Sequence, residues 1–293
     1  MQQTWFIKCV PLVFVLLWST GFIGAKYTLP YIEPFYLLFI RMLMTIAAFA
    51  VLMWWFKAPL LSRQQVIHQS ISGLLIHGAY LGGVFAAIKW DMPAGLTALI
   101  VSTQPLLTAL LLLSGGKQRF SFKQWLGLSL GFGGVMLVLY GKGAIEGFAL
   151  TWPMILAALT ALFGITLGTL YQKRFAGDAN LLSASLIQYC ATALLMAGLT
   201  FGLESQAIDW QFEFVAGMLW LVFGLSVSAI LLLLYMIRQG EAAKVASYFY
   251  LVPGVTALQA WWLFDEKLGL LAIAGLILSV FGVYLTIRRQ ARD

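Results

Sequence analysis

The chain has 293 residues, 61% of them apolar and 10% charged, with a formal net charge of +7. A soluble domain carries roughly 25% charged residues, so this chain cannot coat a water-facing surface and its solvent is mostly lipid. Its basic residues lie in short gaps between apolar runs and not on one face, which excludes a nucleic-acid interface, and two cysteines with two histidines leave no basis for a disulfide framework, a metal cluster or a cofactor.

A bilayer core about 30 Å thick takes roughly 20 apolar residues in helix. Runs of that size predict ten spans, at 11–29, 34–56, 66–88, 94–114, 122–140, 150–171, 181–203, 212–235, 242–264 and 268–287. The first resembles a secretory signal peptide, with Lys8 before it and Ser19, Gly21, Gly24 and Ala25 after its apolar centre, but nine further runs exclude that reading. It carries Trp18, and Lys26 near its outer end. In the second span Arg41 lies about seven residues, or roughly 10 Å, from the outer end. Ionisable groups at that depth are costly and mark candidate sites. Arg41 is expected to share an outer vestibule with Lys26 and Glu33, either facing substrate or pairing with Glu33 or helix-end carbonyls. The third span holds His77 one turn before Tyr80, which predicts two rings stacked on one face, as core or as cavity lining.

In the fourth span Ser102, Thr103 and Gln104 precede Pro105, whose ring frees a backbone carbonyl one turn earlier. The ninth repeats the device, with Tyr248 and Tyr250 before Pro253. Kinks flanked by polar groups suit a midplane site; their structural alternative is bending for packing. Phe163 in the sixth span, Trp220 in the eighth, Trp18 and Tyr248 are candidate aromatic walls, against a background of packing and interfacial aromatics. Gln188 in the seventh span is the neutral counterpart of Arg41. Glycines at 82–83, 131–134 and 164–168 predict close helix approach.

Lys8, Lys57, Arg63, Lys117, Arg119, Lys123, Lys173, Arg174, Arg238, Lys244, Arg288, Arg289 and Arg292 fall in the tails and the even-numbered loops, whereas the odd-numbered loops hold Lys89, Lys142 and Lys267. The positive-inside bias therefore predicts both termini in the cytoplasm. One shift of the chain lays Pro105 on Pro253, Thr108-Ala109-Leu110 on Thr256-Ala257-Leu258, Gly127-Leu128 on Gly275-Leu276 and Gly134-Val135 on Gly282-Val283. Two five-helix units follow, 1–145 and 146–293. Five is odd, so the second inserts from the opposite face. The predicted fold is an all-α integral membrane protein of ten transmembrane helices in two inverted repeats, a design in which two halves enclose a central site and open it alternately to each side.

Trp18-Ser19-Thr20-Gly21-Phe22 through Lys26 to Pro34 and Arg41, residues 94–113 with Ser102-Thr103-Gln104-Pro105, Gly127 to Gly134, Gly240 to Pro253, Asp265-Glu266 and Gly275 to Gly282 together resemble the EamA-type transporters of the drug/metabolite transporter superfamily. The likeness covers the whole chain. One departure is Ser114-Gly115-Gly116-Lys117, where the family commonly places a Gly-Glu pair. The resemblance implies ten helices, cytoplasmic termini, a cavity built from both repeats, and export of amino acids or other small metabolites.

No Asp or Glu lies at the centre of any span, which argues against the small multidrug resistance branch and its cation-and-proton-binding carboxylate. The interior is neutral or positive, favouring a zwitterionic or carboxylate-bearing substrate. The expectation is an alternating-access exporter or facilitator in the inner (plasma) membrane, monomer or homodimer, with a small-molecule substrate and no nucleic acid. Trp18, Arg41, His77, Tyr80, Ser102, Gln104, Phe163, Gln188 and Tyr248 form its predicted substrate-binding set. The alternatives are an uptake permease of the same fold or, further off, a multidrug exporter. An enzyme is not expected: His68 lacks a partner carboxylate in its own loop, and there is no nucleotide-phosphate loop.

Overall fold

The computed structural model describes residues 2–114, 121–146, 149–175, 179–229, 232, 252–267 and 269–287. Every regular element among them is a helix: Gln2–Thr28, Pro34–Trp55, Arg63–Lys89, Ala94–Ser102, Gln104–Ser114, Phe122–Glu146, Trp152–Phe175, Leu181–Leu203, Phe212–Ala229, Val252–Phe264 and Leu270–Ile287. Extended pairing among the described residues is confined to an isolated antiparallel bridge between Ile32 and Ile208.

Five of these helices, Pro34–Trp55, Arg63–Lys89, Trp152–Phe175, Leu181–Leu203 and Phe212–Ala229, are long and apolar enough to cross a bilayer. Even the shortest, 18 residues, reaches about 27 Å at 1.5 Å per residue. Shorter apolar helical stretches run Leu12–Thr28, Ala94–Thr108, Trp125–Val138 and Leu270–Gly282. The predicted spans 212–235 and 242–264 lie partly outside the described residues. Trp54, Trp55 and Phe56 at one helix end, Trp152 at a helix start and Trp210 with Phe212 before another are all exposed. Amphipathic rings placed there match the headgroup level of a membrane.

Local chemistry fixes the ends. Ser62 and Gln65 form a reciprocal capping box that starts Arg63–Lys89. Asn180 accepts from the Leu182 and Ser183 amides to start Leu181–Leu203. Near Pro105 the chain is broken at Thr103, between Ala94–Ser102 and Gln104–Ser114, as expected of a residue that brings no N–H and excludes the preceding turn. Ser102 and Thr103 there donate to the Leu99 and Ile100 carbonyls, 2.7 Å each.

The helices assemble into two compact units: Met1–Ile23, Met92–Trp152 and Leu232–Asp293 in one, Gly24–Asp91 and Pro153–Leu231 in the other. Each unit thus draws on both halves of the sequence. In the first, Phe122–Glu146 packs backbone against backbone on Leu270–Ile287. A Cβ on Gly134 would lie 2.4 Å from the Gly275 carbonyl oxygen, and one on Gly282 2.3 Å from the Gly131 nitrogen. Ser279 donates across the seam to the Gly131 carbonyl, 3.1 Å. The pairing advances on one helix as it recedes on the other, so the two run antiparallel. The predicted close approach at 131–134 is therefore present, and its partners are the glycines that the sequence repeat had made equivalent.

The second unit shows the same relation between Pro34–Trp55 and Leu181–Leu203. Phe39 meets Phe201 edge-on at 5.8 Å and Phe49 stacks on Tyr189 at 5.7 Å, again an antiparallel order. Here too glycines set the spacing. A Cβ on Gly83 would lie 2.4 Å from the Ala157 carbonyl, and one on Gly73 2.5 Å from that of Gln188.

The loops at one end of this unit clasp each other. Glu33 accepts from the Ser205 amide and hydroxyl, at 2.6 and 2.7 Å. Glu204 accepts from the Phe35 and Tyr36 amides, at 2.8 and 2.6 Å, capping Pro34–Trp55 from a distant part of the chain. Lys89 donates to the Leu29 carbonyl, 2.8 Å. Burial pushes the Glu204 carboxyl above the usual carboxylate range, while the two amides pull it down. Since burial already disfavours its charge, Glu204→Ala is expected to lower stability by about 1–2 kcal/mol, the worth of a lost cap, and Glu204→Gln by less. Thermal unfolding in detergent measures both; equal losses would mean the charge and not the acceptor matters.

Candidate functional site

The second unit holds a buried polar cluster. Four helices contribute: Arg41 and Phe49 come from Pro34–Trp55, Gln69, His77, Tyr80 and Phe85 from Arg63–Lys89, Gln188 and Tyr189 from Leu181–Leu203, and Ser226 from Phe212–Ala229. Two of these helices widen into π turns where they meet it, at Leu74–Ala79 around His77 and at Trp220–Ala229 around Ser226. Such turns leave the regular i→i−4 ladder and recur where side chains must be re-aimed.

Arg41 is 5% exposed. Its Nε donates to Ser226 Oγ at 3.1 Å, and its guanidinium carbon lies 6.0 Å from the Phe85 ring centre. Tyr80, Tyr189 and His77 all lie within reach of its charge. The other guanidinium N–H groups make no hydrogen bond among the described residues. A buried guanidinium with a hydroxyl and aromatic rings around it, and no carboxylate against it among the described residues, is a poorly compensated charge. Thr45, one turn further along the same helix, has a buried hydroxyl with no hydrogen-bond partner among the described residues.

His77 stacks on Tyr189, with ring centres 4.4 Å apart and planes at 17°. Its Nε2 lies 3.1 Å from Gln188 Oε1, and Gln188 Nε2 donates to Gln69 Oε1 at 2.6 Å. Tyr189, His77, Gln188 and Gln69 thus form one connected chain, with the Arg41–Ser226 pair in the same cluster.

Four predicted residues, Arg41, His77, Tyr80 and Gln188, are therefore brought together. Two expectations change. Arg41 does not pair with Glu33, which is spent on Ser205; the two are eight residues apart, about 12 Å along a helix axis. The ring on His77 is Tyr189 and not Tyr80, because the wider π turn takes residues three apart off a common face. Trp18 packs with Phe14 at 5.3 Å in the first unit, where Ser102 and Gln104 also lie. Phe163 belongs to the second unit but is 44% exposed on its helix. Tyr248 lies outside the described residues. Gln69, Tyr189 and Ser226 were missed in the sequence. Their signal was present, as polar groups inside apolar runs, but nothing local ranks them above Thr45 or Ser72.

The sequence profile of the EamA-like transporter family matches this chain twice, at residues 5–140 and 152–288. Uncharacterized transporter YvbV of Bacillus subtilis (strain 168) is 32% identical over 198 residues, 66% of this chain and 63% of that protein. The chain therefore spans just under two thirds of that relative's length. An Escherichia coli (strain K12) protein named Uncharacterized inner membrane transporter YedA is 28% identical over 75% of this chain and 70% of its own. Another from the same strain, named Probable amino-acid metabolite efflux pump, is 24% identical over 94% of this chain and 93% of its own. A crystal structure 19% identical superposes with a TM-score of 0.68, covering 97% of this chain and 98% of the other, which establishes likeness of fold.

Proposed function

Because this chain belongs to the EamA-like transporter family, we propose that it carries amino acids or similar zwitterionic or carboxylate metabolites across the inner membrane by alternating access. It is read as a carrier and not an enzyme, in ten spans forming two inverted five-helix repeats, 1–145 and 146–293, with both termini cytoplasmic, working as a monomer or homodimer. The antiparallel packing of corresponding helices in each unit supports the inverted repeat, and the distribution of Lys and Arg supports the orientation.

The observation that carries the substrate class is Arg41. A guanidinium buried without a carboxylate has N–H groups to spare in the fork geometry that suits a carboxylate ligand. Tyr80, His77 and Gln188 stand beside it as the rest of the binding wall, and Trp18, Ser102, Gln104, Phe163 and Tyr248 complete the proposed set. The amino-acid reading also agrees with the name borne by the Escherichia coli relative.

In proteoliposomes, flux of at least one amino acid is expected, and a full panel without flux removes this substrate class. For the topology, single cysteines replacing Lys117 and Lys267 are expected to react with an impermeant reagent from opposite compartments. Labelling of both from one side would dismantle the inverted repeat.

A further inference from the structure

The hydrogen-bond chain behind His77 has a direction. Gln69 presents Oε1 to the Gln188 amide nitrogen at 2.6 Å, which leaves Gln188 Oε1 facing His77 Nε2 at 3.1 Å. A carbonyl oxygen only accepts, so the imidazole must supply the proton, on Nε2. A second positive charge beside Arg41 in a low-dielectric interior would be repelled, so the ring holds that one proton and its Nδ1 is left as a lone-pair acceptor. Nδ1 makes no hydrogen bond among the described residues, and the ring is held flat on Tyr189, 4.4 Å between centres. In the same cluster Ser226 takes the Arg41 Nε donor at 3.1 Å. The cluster therefore sets a fixed donor, the guanidinium, together with a fixed acceptor, Nδ1.

We propose that Gln69 is a positioning residue that holds His77 in the Nε2–H tautomer, so that the site takes a substrate bearing an N–H donor, an ammonium, together with a carboxylate. This rests on the transport reading and, of the zwitterionic or carboxylate metabolites named there, selects the zwitterions. Gln69 touches no substrate; it acts through Gln188 and His77.

The chain contains two histidines, so protein labelled with 15N-histidine gives two imidazole signals, and His68→Gln assigns the one that remains. In wild type, His77 is expected to show a protonated Nε2 and a bare Nδ1. Gln69→Glu, which still accepts from Gln188, is expected to keep that pattern. Gln69→Met, which removes the acceptor at similar volume, is expected to give a mixture of tautomers. In proteoliposomes, wild type and Gln69→Glu should favour an amino acid over the same acid lacking its amine by tenfold or more, and Gln69→Met should lose most of that preference. A wild-type ring protonated on Nδ1, or on both nitrogens, overturns the proposal, as does an unchanged tautomer in Gln69→Met. Equal flux of amino acid and amine-free acid overturns it while leaving transport standing; flux of neither overturns the transport reading and this one with it.

Discussion

Arg41→Gln is expected to weaken carboxylate substrates by about 10- to 100-fold, the worth of a charge-assisted hydrogen bond of roughly 1.5–3 kcal/mol. Amide or ester analogues of the same substrates should change by no more than about threefold. The variant should also be as thermally stable as wild type, or more so. That second expectation separates ligand binding from structure. Arg41 is 5% exposed and its bond among the described residues is to a serine hydroxyl at 3.1 Å, so folding bears a desolvation cost that no carboxylate among them offsets, and a neutral side chain removes it. Were Arg41 a strut, its loss would lower stability and depress every substrate alike. Arg41→Lys should fall between, since an ammonium keeps the charge and loses the planar fork. Flux competition with matched acid and amide pairs, run beside thermal unfolding in detergent, gives both readings.

The largest effect on stability is expected at Gly134. A Cβ there would meet Ser279 Oγ at 2.3 Å, the Gly275 carbonyl at 2.4 Å and the Ser279 nitrogen at 2.5 Å. Two of those three are backbone atoms and cannot swing aside. Gly134→Ala must therefore force Phe122–Glu146 away from Leu270–Ile287, losing the Ser279 bond to Gly131 and the dispersion contacts of the seam. A loss of about 1–3 kcal/mol or more is expected, with a matching fall in folded yield. The neighbouring Gly133 is the internal control, because nothing lies within 4 Å of a Cβ built there. Gly133→Ala should be neutral or stabilising by up to about 1 kcal/mol, since alanine favours helix over glycine. If Gly134→Ala were tolerated as well as Gly133→Ala, the backbone-to-backbone packing would be wrong.

Hydropathy finds helices because lipid offers no partner for an open backbone, so each span must satisfy its own N–H and C=O groups and announces itself by length and apolarity. Pro34–Trp55 and Leu181–Leu203 match their predicted runs almost to the residue for that reason. Polar residues inside those runs stand out equally well, and Arg41, His77 and Gln188 were visible as candidates before any contact was known. The glycines at 131–134 predicted a close helix approach, although which helix would meet them was not written in that segment alone.

By itself, then, the sequence determined the membrane solvent, the helical runs, the repeat and the short roster of intramembrane polar groups, all properties of composition along a line. Only the tertiary structure decided that Arg41 reaches Ser226, 185 positions away, that His77 lies on Tyr189, and that Gln69 stands behind Gln188. Those pairings depend on how antiparallel helices register and on two π turns that rotate His77 and Ser226 off the regular helical face. Register is set by backbone approach at glycines between segments far apart in the chain, and local periodicity carries no term for it.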